Sequence, residues 1–228
     1  MTAPPSDRRS GRPALRRRLL DVAEELLAET ADEDALTVRA VTGRAGVTPP
    51  SLYLHFADKD DLVRQIVARG YADLARATAA AAEPHAEAGD PAAALRCGAR
   101  AYLVWAQENP GRYAVLFTAR RATRLERPDG TVGSPAFDGL VAAVQWCHEE
   151  GVAPPGDAWQ QATLVWAALH GLATLRSLHD RFDWPPSEAL VDDLLAGVVG
   201  IDASAAPGAC DAGERGGSAV SAPGGSGA

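Results

Sequence analysis

The 228-residue chain predicts an all-α protein of about nine helices. Apolar residues recur at three- and four-residue spacing along its segments, the period of a half-buried helix. Proline, glycine, asparagine and aspartate clusters punctuate those segments at helix-length intervals. No segment shows the alternation of a strand, and no internal repeat is present.

The elements follow in order. Residues 1–12 are rich in Pro, Ser and Arg and are expected to be a disordered basic arm. Pro13 can open a helix over about 14–30, at a first-turn position where its missing N–H costs no bond. Leu15, Leu19, Val22, Ala23, Leu26 and Leu27 form its apolar stripe, and the polar run Thr30–Asp34 ends it. Thr37 can cap the next helix, whose Val38, Val41 and Ala45 fall on one inward stripe while Arg39 and Thr42 point out. Gly46 stands where a tight turn needs positive φ, and Val47 plugs the core beyond it. Proline disfavours the α region in the residue before it, so Thr48 suits an extended N-cap. The helix after it would begin effectively at Pro50 and run about two turns. Leu52 and Phe56 pack inward, which leaves Pro50, Ser51, Tyr53, Leu54 and His55 facing out. Asp58 can cap a third, longer helix, with Asp61 in its first turn. Leu62, Ile66, Arg69 and Leu74 carry that helix to about Ala82, and Glu83-Pro84 and Gly89-Asp90-Pro91 punctuate the chain.

Two short helices joined by a glycine turn and followed by a third make a helix-turn-helix, so double-stranded DNA is the expected partner. The second helix would present its N-terminal end to the duplex, where backbone N–H groups and the dipole favour phosphate. The prolines remove two such donors, so side chains must carry more of the contact.

Further helices are expected over 91–108, from Pro110 through Arg120, over 135–150, over 157–182 and over 187–201, with a loop at 121–134 and Ser187 as an N-cap. From Ala203 the composition collapses to Gly, Ala, Ser and Pro, so 203–228 reads as disordered. The domains are therefore the arm 1–12, a helix-turn-helix domain 13–60, a ligand-binding and dimerisation domain 61–202, and the tail 203–228.

Composition narrows the function. Net charge is −8. Residues 1–59 carry nine basic and nine acidic side chains, so the whole excess lies in 60–228. Arg8, Arg9, Arg12, Arg16, Arg17 and Arg18 face only Asp7 within the first 20 residues, the asymmetry of a chain that meets phosphate at one end. Lys59 is the chain's single lysine and stands at the start of the third helix, where a compact charge suits one phosphate oxygen. No run of about 18 apolar residues could cross a membrane, and no signal-peptide pattern is present, so a cytoplasmic location without membrane contact is expected. Cys97, Cys147 and Cys210 match no metal or redox spacing, and Cys97 and Cys147 read as small buried apolar residues. No cofactor or metal site is expected. No nucleophile–base pair or phosphate loop is present, and Glu149-Glu150 and Asp192-Asp193 are neighbours on helices that do not converge, so an enzyme is not expected.

The stretch TVRAV..RAGVTPPSLYLHFADKDDLV resembles the N-terminal domain of the TetR family of transcriptional regulators, and the likeness covers residues 14–65. It implies that Arg39 contacts bases or phosphate. Pro50, Ser51 and Leu54 would reach base edges, Tyr53 and His55 phosphate or sugar, and Thr37 and Lys59 phosphate, with Thr48 completing the face. Thr42 stands where the family usually has Ala, and Pro50 where many members have Gly. The doubled proline points to readout partly by thymine methyls and DNA shape.

Residues 66–201 resemble, less strongly, a TetR C-terminal type through AYLVWAQENPGRYAVLF at 101–117 and Trp166-Ala-Ala-Leu-His170-Gly171. Trp166 and His170 share a helical face, His170 as a pocket wall or as a core histidine bonded to a neighbouring helix, and Gly171 would permit a close backbone approach. Tyr102, Trp105, Tyr113, Phe117, Trp146, Trp166 and His170 are the candidate lining of an apolar pocket for an unidentified small effector. Leu164, Leu172, Leu175 and Leu178, then Leu190, Leu194, Leu195 and Val198, give the last two helices the apolar faces that pair in a homodimer of this family. The expected function is a dimeric, ligand-responsive transcriptional repressor on a palindromic operator. The alternative is an activator or nucleoid-type DNA binder without a small ligand.

Overall fold

The computed structural model describes residues 8–30, 36–118, 135–179, 181–201 and 210. Among them are nine helices and no strand. In order they are α1 (Arg8–Thr30), α2 (Val38–Ala45), α3 (Pro49–Tyr53), α4 (Lys59–Glu87), α5 (Pro91–Glu108), α6 (Pro110–Thr118), α7 (Pro135–Glu149), α8 (Ala158–Leu178) and α9 (Ser187–Val198). None of the described helices is long and apolar enough to cross a membrane.

Most boundaries follow from caps. Thr37, Asp58, Asp90 and Asp157 each accept a hydrogen bond from a backbone N–H of the following turn, at Ala40, Asp61, Ala93 and Gln160. Such a side chain satisfies a donor that has no partner inside the helix.

Several boundaries depart from expectation, among them the end of α9 at Val198 rather than 201. The α1 backbone is helical from Arg8, so Pro13 sits inside the helix rather than opening it, and part of the expected arm is helical. Residues 1–7 lie outside the described residues. Pro84 likewise falls inside α4, which continues to Glu87. In each case proline forfeits one backbone bond, a loss a long packed helix absorbs. Pro49, not Pro50, is the first residue of α3, which has only five residues. At the other end, α8 stops at Leu178 instead of 182. There the Trp184 indole donates to the His179 carbonyl at 3.1 Å, and Arg176 donates to the Pro185 carbonyl and the Ser187 hydroxyl, which turn the chain back early. Those bonds also occupy Ser187, so Pro186 is the N-cap of α9 and no side chain caps it. The expected loop 121–134 lies outside the described residues.

α1 to α3 and the start of α4 form a headpiece around Leu19, Ala23, Leu36, Val41, Leu52, Phe56 and Leu62, all buried. Thr42 belongs to this core and does not point out. Its hydroxyl donates to the Val38 carbonyl at 2.8 Å, which lets a polar side chain be buried without an orphaned group.

The centre of the body is α5, with twelve buried residues among its eighteen. It packs against α4, α6, α7, α8 and α9. One of the twelve is Arg96, only 4% exposed. Its Nε lies 2.9 Å from Asp192 on α9, and the same carboxylate accepts two bonds from Arg100. One member of the Asp192-Asp193 pair therefore anchors α9 to the core.

Headpiece and body share α4 and meet again at α6. A Cβ on Gly111 would lie 2.5 Å from the Cβ of Ala28 on α1, and one on Gly70 would lie 2.6 Å from Leu116. These are the close approaches between helices; nothing lies within 4 Å of the Cβ position of Gly171, so the expected role there is not met. Beside Gly111, Arg112 pairs with the buried carboxylate of Glu24 on α1 and reaches Asp73 on α4 at 3.5 Å. Arg69 on α4 bonds Asp21 and lies 3.7 Å from Glu24. Burial raises the Glu24 carboxyl above its ordinary range, and the two arginines oppose that rise.

The cysteines correct a further expectation. Cys97 is bonded to Cys210 across 113 residues, so it is no free apolar filler, and Cys210 in the nominally disordered tail has a defined partner. Cys147 alone is free and buried, its thiol pushed up to about 11 by desolvation.

Candidate functional site

The outward face of the headpiece is built by two caps and one short helix. The Thr37 hydroxyl, 3.1 Å from Ala40 N, starts α2, and Arg39 projects from its first turn into solvent. Gly46 closes α2 at φ 67°, with its N–H on Gly43 O and the Val47 N–H on Thr42 O. That left-handed residue turns the chain sharply into α3. Thr48 is extended at φ −87°, ψ 151°, and its hydroxyl lies 3.1 Å from that of Ser51.

Leu52 and Phe56 are fully buried under α3. Their burial forces the intervening residues outward: Tyr53 is 55% and Leu54 66% exposed, side by side on one surface. Pro50 is exposed, and Ser51 and His55 are half-buried at the same surface. Lys59, half-buried, follows the Asp58 cap at the edge. The structure thus brings Thr37, Arg39, Thr48, Pro50, Ser51, Tyr53, Leu54, His55 and Lys59 onto the α2–α3–α4 part of the headpiece.

The sequence reading missed how α1 joins this surface. The Arg16 guanidinium lies 5.5 Å from the Phe56 ring centre and donates to Gln65. Partial burial, then the charges of Arg12 and Arg16, lower the His55 pKa, so the imidazole is biased toward neutral. Arg12, assigned to the arm, and Arg16, assigned to the first helix, are therefore set beside the α3 face. Their i, i+4 spacing was the signal available in the sequence.

The second feature is a cavity of about 700 Å³ between α4, α5, α7 and α8. Its walls include Tyr71, Leu74, Leu95, Tyr102, Phe137, Leu140, Trp166 and Leu169, with Gly98, Ala99 and several alanines of α4 supplying the space. Volume and lining fit a small, mostly apolar ligand. Of the seven predicted residues only Tyr102 and Trp166 line it. Trp105 and Trp146 lie about one helical turn past the last wall residues of α5 and α7, Tyr102 and Ala143, which corrects their assignment. The remaining three stand behind Tyr102. The Tyr102 and Tyr113 hydroxyls are 2.9 Å apart, and Tyr113 Oη is 2.7 Å from His170 Nδ1. The Phe117 and His170 ring centres are 4.1 Å apart, and Trp166 stacks on His170 at 6.2 Å.

His170 is thus a half-buried histidine bonded to a neighbouring helix and set behind the cavity wall. Burial lowers its pKa, raises that of Tyr102, and pushes Tyr113 up to about 12. All three are held neutral near pH 7, as buried hydrogen-bonded groups require. Sequence reading underestimated the alanine-rich face of α4 and Phe137. The small side chains of that alanine run leave the volume of the cavity.

Comparisons with known proteins follow this division. Residues 19–66 match the family described as bacterial regulatory proteins, tetR family, and residues 95–198 the family described as tetracyclin repressor-like, C-terminal domain. Over 73 residues, 32% of this chain, the sequence is 44% identical to the HTH-type transcriptional repressor KstR2 of Rhodococcus jostii strain RHA1. The matched segment spans 35% of that repressor's length. A solved protein of unknown function from Rhodococcus sp. RHA1 superposes with a TM-score of 0.65 at 26% identity, over 81% of this chain and 95% of that one. A TetR family transcription regulator from Marinobacter aquaeolei VT8 also gives 0.65, at 18% identity, over 84% and 98%.

Proposed function

This chain belongs to the TetR family of bacterial transcriptional regulators, and we propose that it is a dimeric repressor released from a palindromic operator by a small, mostly apolar effector. The observation that carries the DNA half is the exposed Tyr53-Leu54 pair on a helix of five residues, held from beneath by Leu52 and Phe56. A monomeric globule gains nothing from presenting those side chains to water. A helix end entering the major groove uses them against sugars and thymine methyls. Thr37 and Lys59 flank the face for phosphate, Arg39 and Ser51 reach base edges or phosphate, and Thr48, Pro50 and His55 complete it. Arg12 and Arg16 extend it with positive charge.

The effector half rests on the cavity and on what lies behind it. An effector seated against Tyr102 perturbs a hydrogen-bonded chain through Tyr113, which is on α6. α6 abuts α1 at Gly111 and Ala28 and holds Glu24 through Arg112. Headpiece position is therefore coupled to cavity occupancy by packed contacts. A ligand that binds better to one of the two arrangements shifts the population toward it.

Dimerisation is read from α8 and α9. Leu164, Leu175, Leu178 and Phe182 are each at least 45% exposed. Half-buried Leu172, Leu190, Leu194 and Val198 lie on the same helices, whereas Leu195 is turned inward and buried. An isologous contact between two copies would cover those side chains and set two headpieces on one face of the duplex. The proposed setting is the cytoplasm, where operator DNA is reached.

The deciding experiment is a footprint on the DNA flanking the chain's own gene, repeated with a panel of aromatic and lipophilic compounds. Protection over two half-sites, relieved by an apolar compound, is the expected result. Protection that no such compound relieves favours the activator or nucleoid-type alternative, and binding of charged sugars alone overturns the effector class.

A further inference from the structure

We propose that His85, Cys97 and Cys210 form a thiol-gated site for a soft divalent ion, closed while the two sulfurs are bonded to each other and open to zinc once they are reduced. The inference is independent of the effector reading, and only its resting state rests on the proposed cytoplasmic setting. Three elements supply the ligands: the last turn of α4, the middle of α5 and the segment after α9. One ligating atom from each lies within 4.8 Å of the others. In a tetrahedral site with ordinary Zn–S and Zn–N lengths, a thiolate and an imidazole nitrogen stand about 3.5 Å apart. His85 thus stands close enough to both sulfurs for a small side-chain adjustment, together with parting of the sulfurs, to admit an ion.

Residue type agrees with geometry. Two thiolates and an imidazole are the soft and borderline donors that select zinc over calcium or magnesium. Cys97 is buried, whereas His85 and Cys210 are half-buried, so one side of the cluster meets solvent and leaves a fourth position for water. Arg100 donates toward Cys210 Sγ at 3.6 Å, a contact a thiolate accepts more strongly than a disulfide sulfur. A disulfide is uncommon in a compartment that keeps thiols reduced, so the open form is the resting form there.

The gate balances as two thiol–disulfide exchanges. The thiolate of a low-molecular-weight thiol attacks the accessible Cys210 sulfur, the Cys97–Cys210 bond breaks, and Cys97 leaves as thiolate. A second small thiol displaces Cys210 and departs as the small-molecule disulfide, so the protein gains two electrons and two protons. Zinc then binds with release of both protons. Hydrogen peroxide reverses the gate, two thiols giving the disulfide and two waters.

The test uses the full chain, reduced with excess dithiol, desalted without oxygen and titrated calorimetrically with zinc, with cobalt(II) as a spectroscopic probe. The reduced protein should take one ion per chain and show the thiolate-to-cobalt charge-transfer bands of a tetrahedral site. The peroxide-treated protein should take none. Cys210→Ser should abolish binding, His85→Ala should weaken it by more than about tenfold, and Cys147→Ser should leave it unchanged. Equal zinc affinity in the reduced and oxidised wild-type protein, which requires no variant to fold, overturns the proposal. So does a peroxide-treated chain in which Cys97 and Cys210 are both still alkylated.

Discussion

α3 and α5 are opposite solutions to being a helix. α3 has five residues, hides Leu52 alone and leaves Tyr53 and Leu54 in solvent. α5 has eighteen residues, hides twelve and buries even Arg96. The first is held by its neighbours so that its exterior is available. The second is the neighbour against which five other helices pack, three of them walling a cavity with it. Changes on α3 should therefore alter binding without altering stability, and changes around α5 should do the reverse.

The largest expected effect tests the α5 side. Asp192→Ala leaves Arg96 and Arg100 without their shared carboxylate. Breaking a buried pair from one side costs about 3 kcal/mol, to be read from urea unfolding; a loss under about 1 kcal/mol would mean that the pair behaves like a surface one. On the α3 side, Tyr53→Ala and Leu54→Ala should each weaken operator binding by about 1–3 kcal/mol, with an unchanged melting temperature and oligomeric state. Loss of stability in these variants would erase the contrast between the two helices.

Thr37→Ala lies between the two cases, because the cap both starts α2 and faces outward. It should cost about 1 kcal/mol of stability and also weaken DNA binding. Lys59→Ala is subtler: the slope of log affinity against log salt should become shallower by about one unit, measured by fluorescence anisotropy, and an unchanged slope removes its phosphate role.

The smallest effect is on pH dependence. His170 has a folded pKa below its ordinary 6.5 because it is partly buried. As pH falls below that value the unfolded chain binds the proton first, so stability falls with it. His55 is shifted the same way and contributes with the same sign. The melting temperature should drop as pH is lowered from neutrality through the histidine range, and His170→Asn should flatten part of that drop.

What was legible divides along the same line. Thr37, Gly46, Asp58 and Asp90 act on their own neighbours in sequence, so the helix boundaries they set could be read in advance. The outward set on α3 was legible because burial of Leu52 and Phe56, four residues apart, dictates where the residues between them point. The cavity was legible only as an aromatic-rich half. Which aromatics reach it depends on how far along α5 and α7 the opening extends, and Trp105 and Trp146 fall one turn beyond. Thr42 was misplaced because a hydroxyl that bonds its own i−4 carbonyl can be buried, which residue type alone does not reveal.

The sequence by itself determined the all-helical class, the headpiece, most caps and the outward set of side chains on and beside α3. Each rests on interactions within about one helical turn, where spacing and residue type are sufficient. Only the tertiary structure decided that Arg96 and Arg100 share Asp192, that α6 is pressed against α1 at Gly111, that Arg112 meets Glu24 and that Cys97 meets Cys210. Those partners are some 90 to 113 residues apart in most cases. No local period encodes such pairings; they follow from packing α5 at the centre and finding what its neighbours bring to it.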